Sequence, residues 1–224
     1  KRSINSRPAF ETVSEKVVRR GAVICVEGVD KVGKSSLALK LSECLRDERF
    51  KVECRKFPNR ETTIGTLIND YLNGRKAIND HVIHLLFSAN RWEFANQMEK
   101  QLRSGVTLIL DRYAFSGVAY SAAKSKMSVE WCKAPDSGLI KPDLVLYLTA
   151  SDCVSSTRNG FGDEIYESSD FQSKVKAVYE TLKDDTWKTI VSERNIDDTL
   201  VQVLPLVKNT IKKVRFKPIE RLWS

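Results

Sequence analysis

The chain has 224 residues, 42% of them hydrophobic and 29% charged, with a formal net charge of +8. That is enough chain for one buried core, and no apolar run reaches the roughly 20 residues needed to span a bilayer. The positive excess sits at the ends, six Lys/Arg in residues 1–20 and six in 208–224, which leaves a near-neutral body, argues against a duplex-binding face and makes the ends read as solvated basic tails.

In chain order, residues 1–20 form a basic extension in which Arg2, Arg7, Arg19 and Arg20 hint at an organelle address that Glu11 and Glu15 oppose. No secretory signal is expected ahead of the first strand. The five cysteines show no CxxC spacing, and Cys25 and Cys44 sit in apolar patterns. Reduced thiols in the cytoplasm are therefore expected, with a nuclear or mitochondrial pool as alternatives. The run from Ala22 to Val26 is apolar and β-branched at Val23, Ile24 and Val26, as a strand buried on both faces would be. Gly28-Val29-Asp30-Lys31-Val32-Gly33-Lys34-Ser35 follows and fits G-x-x-x-x-G-K-[ST] at every fixed position. Leu37, Leu41, Cys44 and Leu45 then recur at helical spacing, so the loop joins a strand to a helix. In that context the glycines let successive N–H groups turn inward on a polyphosphate, aided by the helix N-terminus. Gly28, Lys31, Val32, Gly33, Lys34, Ser35 and Ser36 are the expected triphosphate cradle. Lys34 reaches the β- and γ-phosphates, and the Ser35 hydroxyl ligates Mg²⁺.

Further along, Val52–Phe57 alternates and stops at Pro58, and Thr63–Leu72 reads as a short helix. Asn79–Ser104 is a long helix whose core face is expected to carry Val82, Leu85, Leu86, Ala89, Met98 and Leu102. Val106–Leu110, Leu144–Leu148 and Trp187–Val191 read as three more strands, with helices over Phe171–Lys183 and Asp197–Lys212. Strands alternating with helices predict an α/β fold, a mostly parallel five-stranded sheet flanked by helices with ligands at the carboxyl ends of the strands. One domain is expected over 21–213, with 214–224 as a tail. The two histidines, His81 and His84, are too few for a three-histidine metal site and read as structural.

A phosphate loop alone does not separate kinases, GTPases and motor ATPases, but the chain lacks the N/T-K-x-D segment a GTPase needs. It offers instead Phe57-Pro58-Asn59-Arg60, Phe87 and Arg91 one helical turn apart in LLFSANRWE, and Asp111-Arg112-Tyr113 opening DRYAFSGVAY. These supply rings for a base and guanidinium forks for a phosphate beside a triphosphate site. Taken together, from about Gly21 to Trp187, the segments resemble thymidylate kinase in its eukaryotic and poxviral-like form. The resemblance implies a nucleoside monophosphate kinase fold moving the γ-phosphate of Mg·ATP to dTMP, a mobile lid over about 152–169, and a homodimer. It places Phe87 on the thymine ring and Arg91 on its edge, Arg60 and Arg112 on the acceptor phosphate, and Asp30 on the sugar 3′-hydroxyl. Phe57, Ser116, Gly117 and Tyr120 complete the dTMP site, and Tyr166 lies near the sugar. Asp111 joins Ser35 at the metal, and Arg158 of the lid faces the phosphates. The chain departs from many members of that family at Lys31, where they carry arginine, and at Ile165 in the lid. Lysine cannot fork across two phosphate oxygens, so Arg158 leads Lys31 as the cation for the transferring group. A kinase of another monophosphate or of a deoxynucleoside, and an inactive nucleotide-binding regulator, are the alternatives.

Overall fold

The computed structural model describes residues 19–124, 127–149, 169–192 and 195–224. Five strands form one sheet in the order β2-β3-β1-β4-β5: β1 Val23–Gly28, β2 Val52–Lys56, β3 Thr107–Asp111, β4 Leu144–Thr149 and β5 Trp187–Val191. Every pairing is parallel, so the expected mostly parallel sheet is parallel throughout. The helices are α1 Lys34–Asp47, α2 Thr63–Leu72, α3 Asp80–Arg103, α4 Ala114–Lys124, α5 Val129–Lys133, α6 Ser169–Leu182 and α7 Ile196–Val214.

Strand side chains alternate between the two faces of the sheet, and two cores result. Val23, Cys25, Leu108, Leu110, Val145 and Tyr147 pack with Met98 and Leu102 of α3, Phe115 and Val118 of α4, and Val175 and Tyr179 of α6. Ala22, Ile24, Val26, Ile109, Leu146 and Leu148 pack on the other side with Leu37, Leu41 and Leu45 of α1 and Val203 and Val207 of α7. The helix starts follow side-chain capping: Thr62 accepts from Gly65 N–H, Asn79 from His81 N–H and Asn195 from Asp197 N–H.

Two expectations are corrected. Val82 and Leu85 do not face the core but are 48% and 45% exposed. The buried stripe of α3 instead includes Ile83, His84, Ser88, Asn90 and Arg91, because this side of the helix faces polar partners on neighbouring segments. The basic ends are not solvated throughout. Arg20 is buried, forms a paired ion contact with Asp143 at 2.6 and 2.8 Å, and donates to the Lys217 carbonyl. At the other end Leu222 is buried, Trp223 packs edge-on to Phe115, and the backbone of 220–222 bonds to that of 138–141. Helix α4, 11 residues long, follows β3 and carries Ser116, Gly117 and Tyr120. His84 is structural, as expected: it is buried with Nδ1 on Ser121 Oγ at 2.8 Å and Nε2 on the Cys132 carbonyl at 3.0 Å.

Candidate active site

The carboxyl ends of β1, β2 and β3 open onto a cavity of about 800 Å³. Its lining brings together Asp30, Lys31, Gly33, Lys34, Ser35 and Ser36 from the loop after β1, and Phe57 and Arg60 from the end of β2 onward. Phe87 and Arg91 of α3 and Arg112, Ser116, Gly117 and Tyr120 at and within α4 line it too. Gly28 begins the loop at φ 143° and Gly33 precedes α1 at φ 96°, left-handed geometry that favours glycine. Lys31 and Arg112 adopt positive φ without being glycine, which places two cations of the site on sparsely populated backbone. The Val32 side chain is buried in the core, so only its backbone can serve the cradle.

Lys34 is 5% exposed and its ammonium donates to the Val29 carbonyl. Burial, then the nearby Arg112 guanidinium, depress its pKa to about 7 against the pull of Asp30, Asp111 and Glu27. Asp30 accepts from the Arg112 guanidinium, from Tyr120 Oη at 2.8 Å and from Gln172 Nε2 at 2.8 Å. The Gln172 carbonyl in turn accepts the Asp30 N–H at 2.9 Å. Burial works to raise the Asp30 carboxyl, but Arg112, Lys34 and these hydrogen bonds outweigh it and hold the pKa below the usual range. Asp30 is therefore an anchored carboxylate inside the cavity and not a loose loop charge.

Arg91 is fixed from behind. Its Nε and Nη2 meet the Asp136 carboxylate at 3.0 and 2.6 Å, with Ser88 Oγ on the same carboxylate at 2.7 Å. A Cβ on Gly117 would lie 2.7 Å from Arg91 Nη2, so only glycine fits beneath that guanidinium. Phe87 is half-buried against Ile68, Tyr71, Leu72 and Ile83, leaving the rest of the ring to the cavity. Phe57 is almost wholly buried, tilted against Tyr113 at 5.6 Å and edge-on to Phe94 at 6.0 Å. Arg60 is exposed, with Nη1 on Asn69 Oδ1 at 2.9 Å.

Beneath the loop, Ser35 Oγ donates to Asp111 Oδ2 at 2.5 Å, and the other Asp111 oxygen is buried with no hydrogen-bond partner. A buried carboxylate oxygen left over beside a hydroxyl is an unfilled demand for a cation, and an all-oxygen set suits Mg²⁺. Ser35 and Asp111 thus fit the metal expected of them. Arg158 and Tyr166, and the lid span 152–168 with Cys153, lie outside the described residues. Sequence reasoning missed Lys56, whose ammonium stands 3.4 Å from Ser35 Oγ and 3.8 Å from Asp111 Oδ2. Its place at the end of β2, the ligand edge, was the available signal. It also missed Asp136 and Gln172, which come from segments with no motif of their own.

A parallel sheet with a phosphate loop after its central strand, and arginines that follow β2 and β3 in the lining of one cavity, defines the fold of a P-loop nucleoside monophosphate kinase. The comparisons narrow the class. The family profile described as Thymidylate kinase matches residues 26–203. The thymidylate kinase of Arabidopsis thaliana is 45% identical over 206 residues, 92% of this chain and 78% of that protein. That of Homo sapiens is 43% identical over 92% of this chain and 99% of its own. The solved structure of thymidylate kinase from Candida albicans superposes with a TM-score of 0.80 at 36% identity, covering 91% of this chain and 98% of that one. This chain belongs to the thymidylate kinase family.

Proposed function

We propose that the protein transfers the γ-phosphate of ATP to dTMP, giving dTDP for dTTP synthesis. The observation that carries the reading is a single cavity in which Lys34 and Ser35 face Arg112, Arg91 and Phe87. Phosphoryl transfer between two polyanions needs alignment and charge neutralisation far more than covalent chemistry. Backbone N–H groups of 28–36 and the Lys34 ammonium hold the donor. Arg60 and Arg112 hold the acceptor phosphate, Phe87 stacks on the base, and Arg91, fixed by Asp136, offers its remaining N–H groups to the base edge. Asp30 accepts from the sugar 3′-hydroxyl, exchanging part of its bond to Arg112 for the substrate. Ser35 and Asp111 would hold Mg²⁺, which when bound neutralises phosphate charge and orients the donor. Lys31 and the Arg158 that the resemblance supplies stabilise the transferring group.

Val82, Leu85 and Trp92, exposed along α3, support a homodimer built on that helix. Among the described residues no helix is long and apolar enough to cross a membrane. The free thiols of Cys25, Cys44, Cys54 and Cys132 support a cytoplasmic enzyme. A coupled ADP-release assay across nucleoside monophosphates tests the reading. Turnover with dTMP well above that with other acceptors is expected; preferred turnover of another acceptor, or none at all, overturns it.

A further inference from the structure

Glu27 is the one acidic side chain in β1, wholly buried, and it does not line the cavity. A buried carboxylate is tolerated only when its lone pairs are filled, and here five donors fill them. Oε1 accepts the backbone N–H of Tyr113 at 2.8 Å and of Ser116 at 3.2 Å, with Cys25 Sγ at 3.7 Å. Oε2 accepts Ser116 Oγ at 2.6 Å and Tyr179 Oη at 2.9 Å. The Tyr113 and Ser116 amides are free donors of the first turn of α4, so Glu27 caps that helix from another strand, with its charge at the positive end of the helix dipole.

The bond to Ser116 has a directional consequence. Because the Ser116 hydroxyl gives its hydrogen to Glu27, its lone pairs remain for Arg112 Nη1 at 3.4 Å, while Tyr179 Oη, whose own hydrogen goes to Glu27, stands 2.9 Å from the same hydroxyl. Arg112, Ser116 and Tyr120, one helical turn apart in sequence, all reach the cavity from this end of α4. Tyr179 ties the same carboxylate to α6, which also carries Gln172, the partner of Asp30. The acceptor half of the cavity thus hangs on one buried carboxylate outside the cavity lining. We propose that Glu27 is a positioning residue for the acceptor nucleotide: it fixes the start of α4 and the polarity of the Ser116 hydroxyl, and through them Arg112. The proposal rests on the reading of that half of the cavity as the dTMP side.

Glu27→Gln keeps the shape but places an amide N–H₂ where the carboxylate accepted. The Ser116 hydroxyl then has to accept from the amide and turn its own hydrogen away, toward the Arg112 cation. The KM for dTMP should rise about tenfold or more, on the order of one or two lost hydrogen bonds. The KM for ATP should stay within about threefold, and kcat should fall less than the KM for dTMP rises. In the Glu27→Gln background Ser116→Ala should cost little further, since the hydroxyl is already misdirected. A dTMP KM within twofold of wild type, or equal rises for both substrates, overturns the proposal, because a purely structural carboxylate would lower the melting temperature without singling out one substrate. If Glu27→Gln does not fold, Tyr179→Phe removes one donor at constant volume. It should raise the dTMP KM about threefold while sparing ATP, and no change would overturn the proposal. Failure of the kinase reading is seen separately, in the wild-type enzyme, as absence of dTMP-dependent ADP release. The variants are then compared by calorimetric dTMP binding, where unchanged affinity overturns the role of Glu27.

Discussion

Asp136→Ala tests the claim that Arg91 is held in place from behind. Arg91 and Asp136 are 3% and 0% exposed, and the pair meets through two contacts at 3.0 and 2.6 Å. Removing the carboxylate leaves a buried cation without its counter-charge and Ser88 Oγ without its shorter contact at 2.7 Å. Breaking a buried pair from one side costs about 3–5 kcal/mol. In a chain of this size that lowers the melting temperature by roughly 6–20 °C. Replacing both partners is different: Arg91→Met/Asp136→Ala removes the stranded charge and should regain a large part of the loss. Urea unfolding of the four proteins gives the coupling energy, and dTMP titration of the folded single variant should show affinity about tenfold weaker as the guanidinium loses its fixed plane. A single-variant cost below about 1 kcal/mol, or additive effects to within about 0.5 kcal/mol, would refute the account of Arg91 as a residue oriented by Asp136.

Much of this was legible because it depends on short, contiguous patterns. Strand β1, the phosphate loop and α1 follow one another without interruption, and the hydrophobic period changes where the structure changes. The site residues at strand ends were legible for the same reason, since a parallel sheet puts its ligands there. What stayed hidden is what the chain brings together from afar. Asp136 sits 45 residues beyond Arg91, in a short 3₁₀ turn with no signature. Gln172 reaches Asp30 across 142 positions, and polarity alone does not single it out. The false core face of α3 has a related cause. Apolar periodicity marks Val82 and Leu85, but the helix turns His84, Ser88 and Arg91 inward, because burial there is satisfied by hydrogen bonds and not by hydrocarbon. Glu27 was a missed signal and not a hidden one: a lone carboxylate within a run of buried apolar residues demands partners.

The remaining predictions concern the end of the chain, the phosphate lysine and the sugar carboxylate. Leu222→Ala should cost about 2–5 kcal/mol, since Leu222 is buried in the main core, and a melting temperature lowered by less than about 2 °C would show that the C-terminal segment is only loosely applied. Lys34, whose folded pKa of about 7 lies below its unfolded value, makes the unliganded protein gain stability as pH rises from about 7 toward 10.5, because the unfolded chain then holds the extra proton. A bound polyphosphate restores that proton, so ATP binding above pH 7 should take up close to one proton and weaken by up to about tenfold per pH unit. Calorimetry in buffers of different ionisation enthalpy reads the uptake, and Lys34→Ala should abolish it; uptake persisting in the variant would assign the proton elsewhere. For Asp30, a charge-assisted bond to the sugar 3′-hydroxyl is worth about 1.5–3 kcal/mol, so Asp30→Ala should lower kcat/KM for dTMP by about ten- to a hundredfold. The 3′-deoxy analogue separates reading the sugar from merely holding Arg112, which Asp30 also pairs. If Asp30 reads the hydroxyl, the analogue is already poor with the wild type and loses little more in the variant; equal losses for both acceptors would show that its work is to hold Arg112 and the loop.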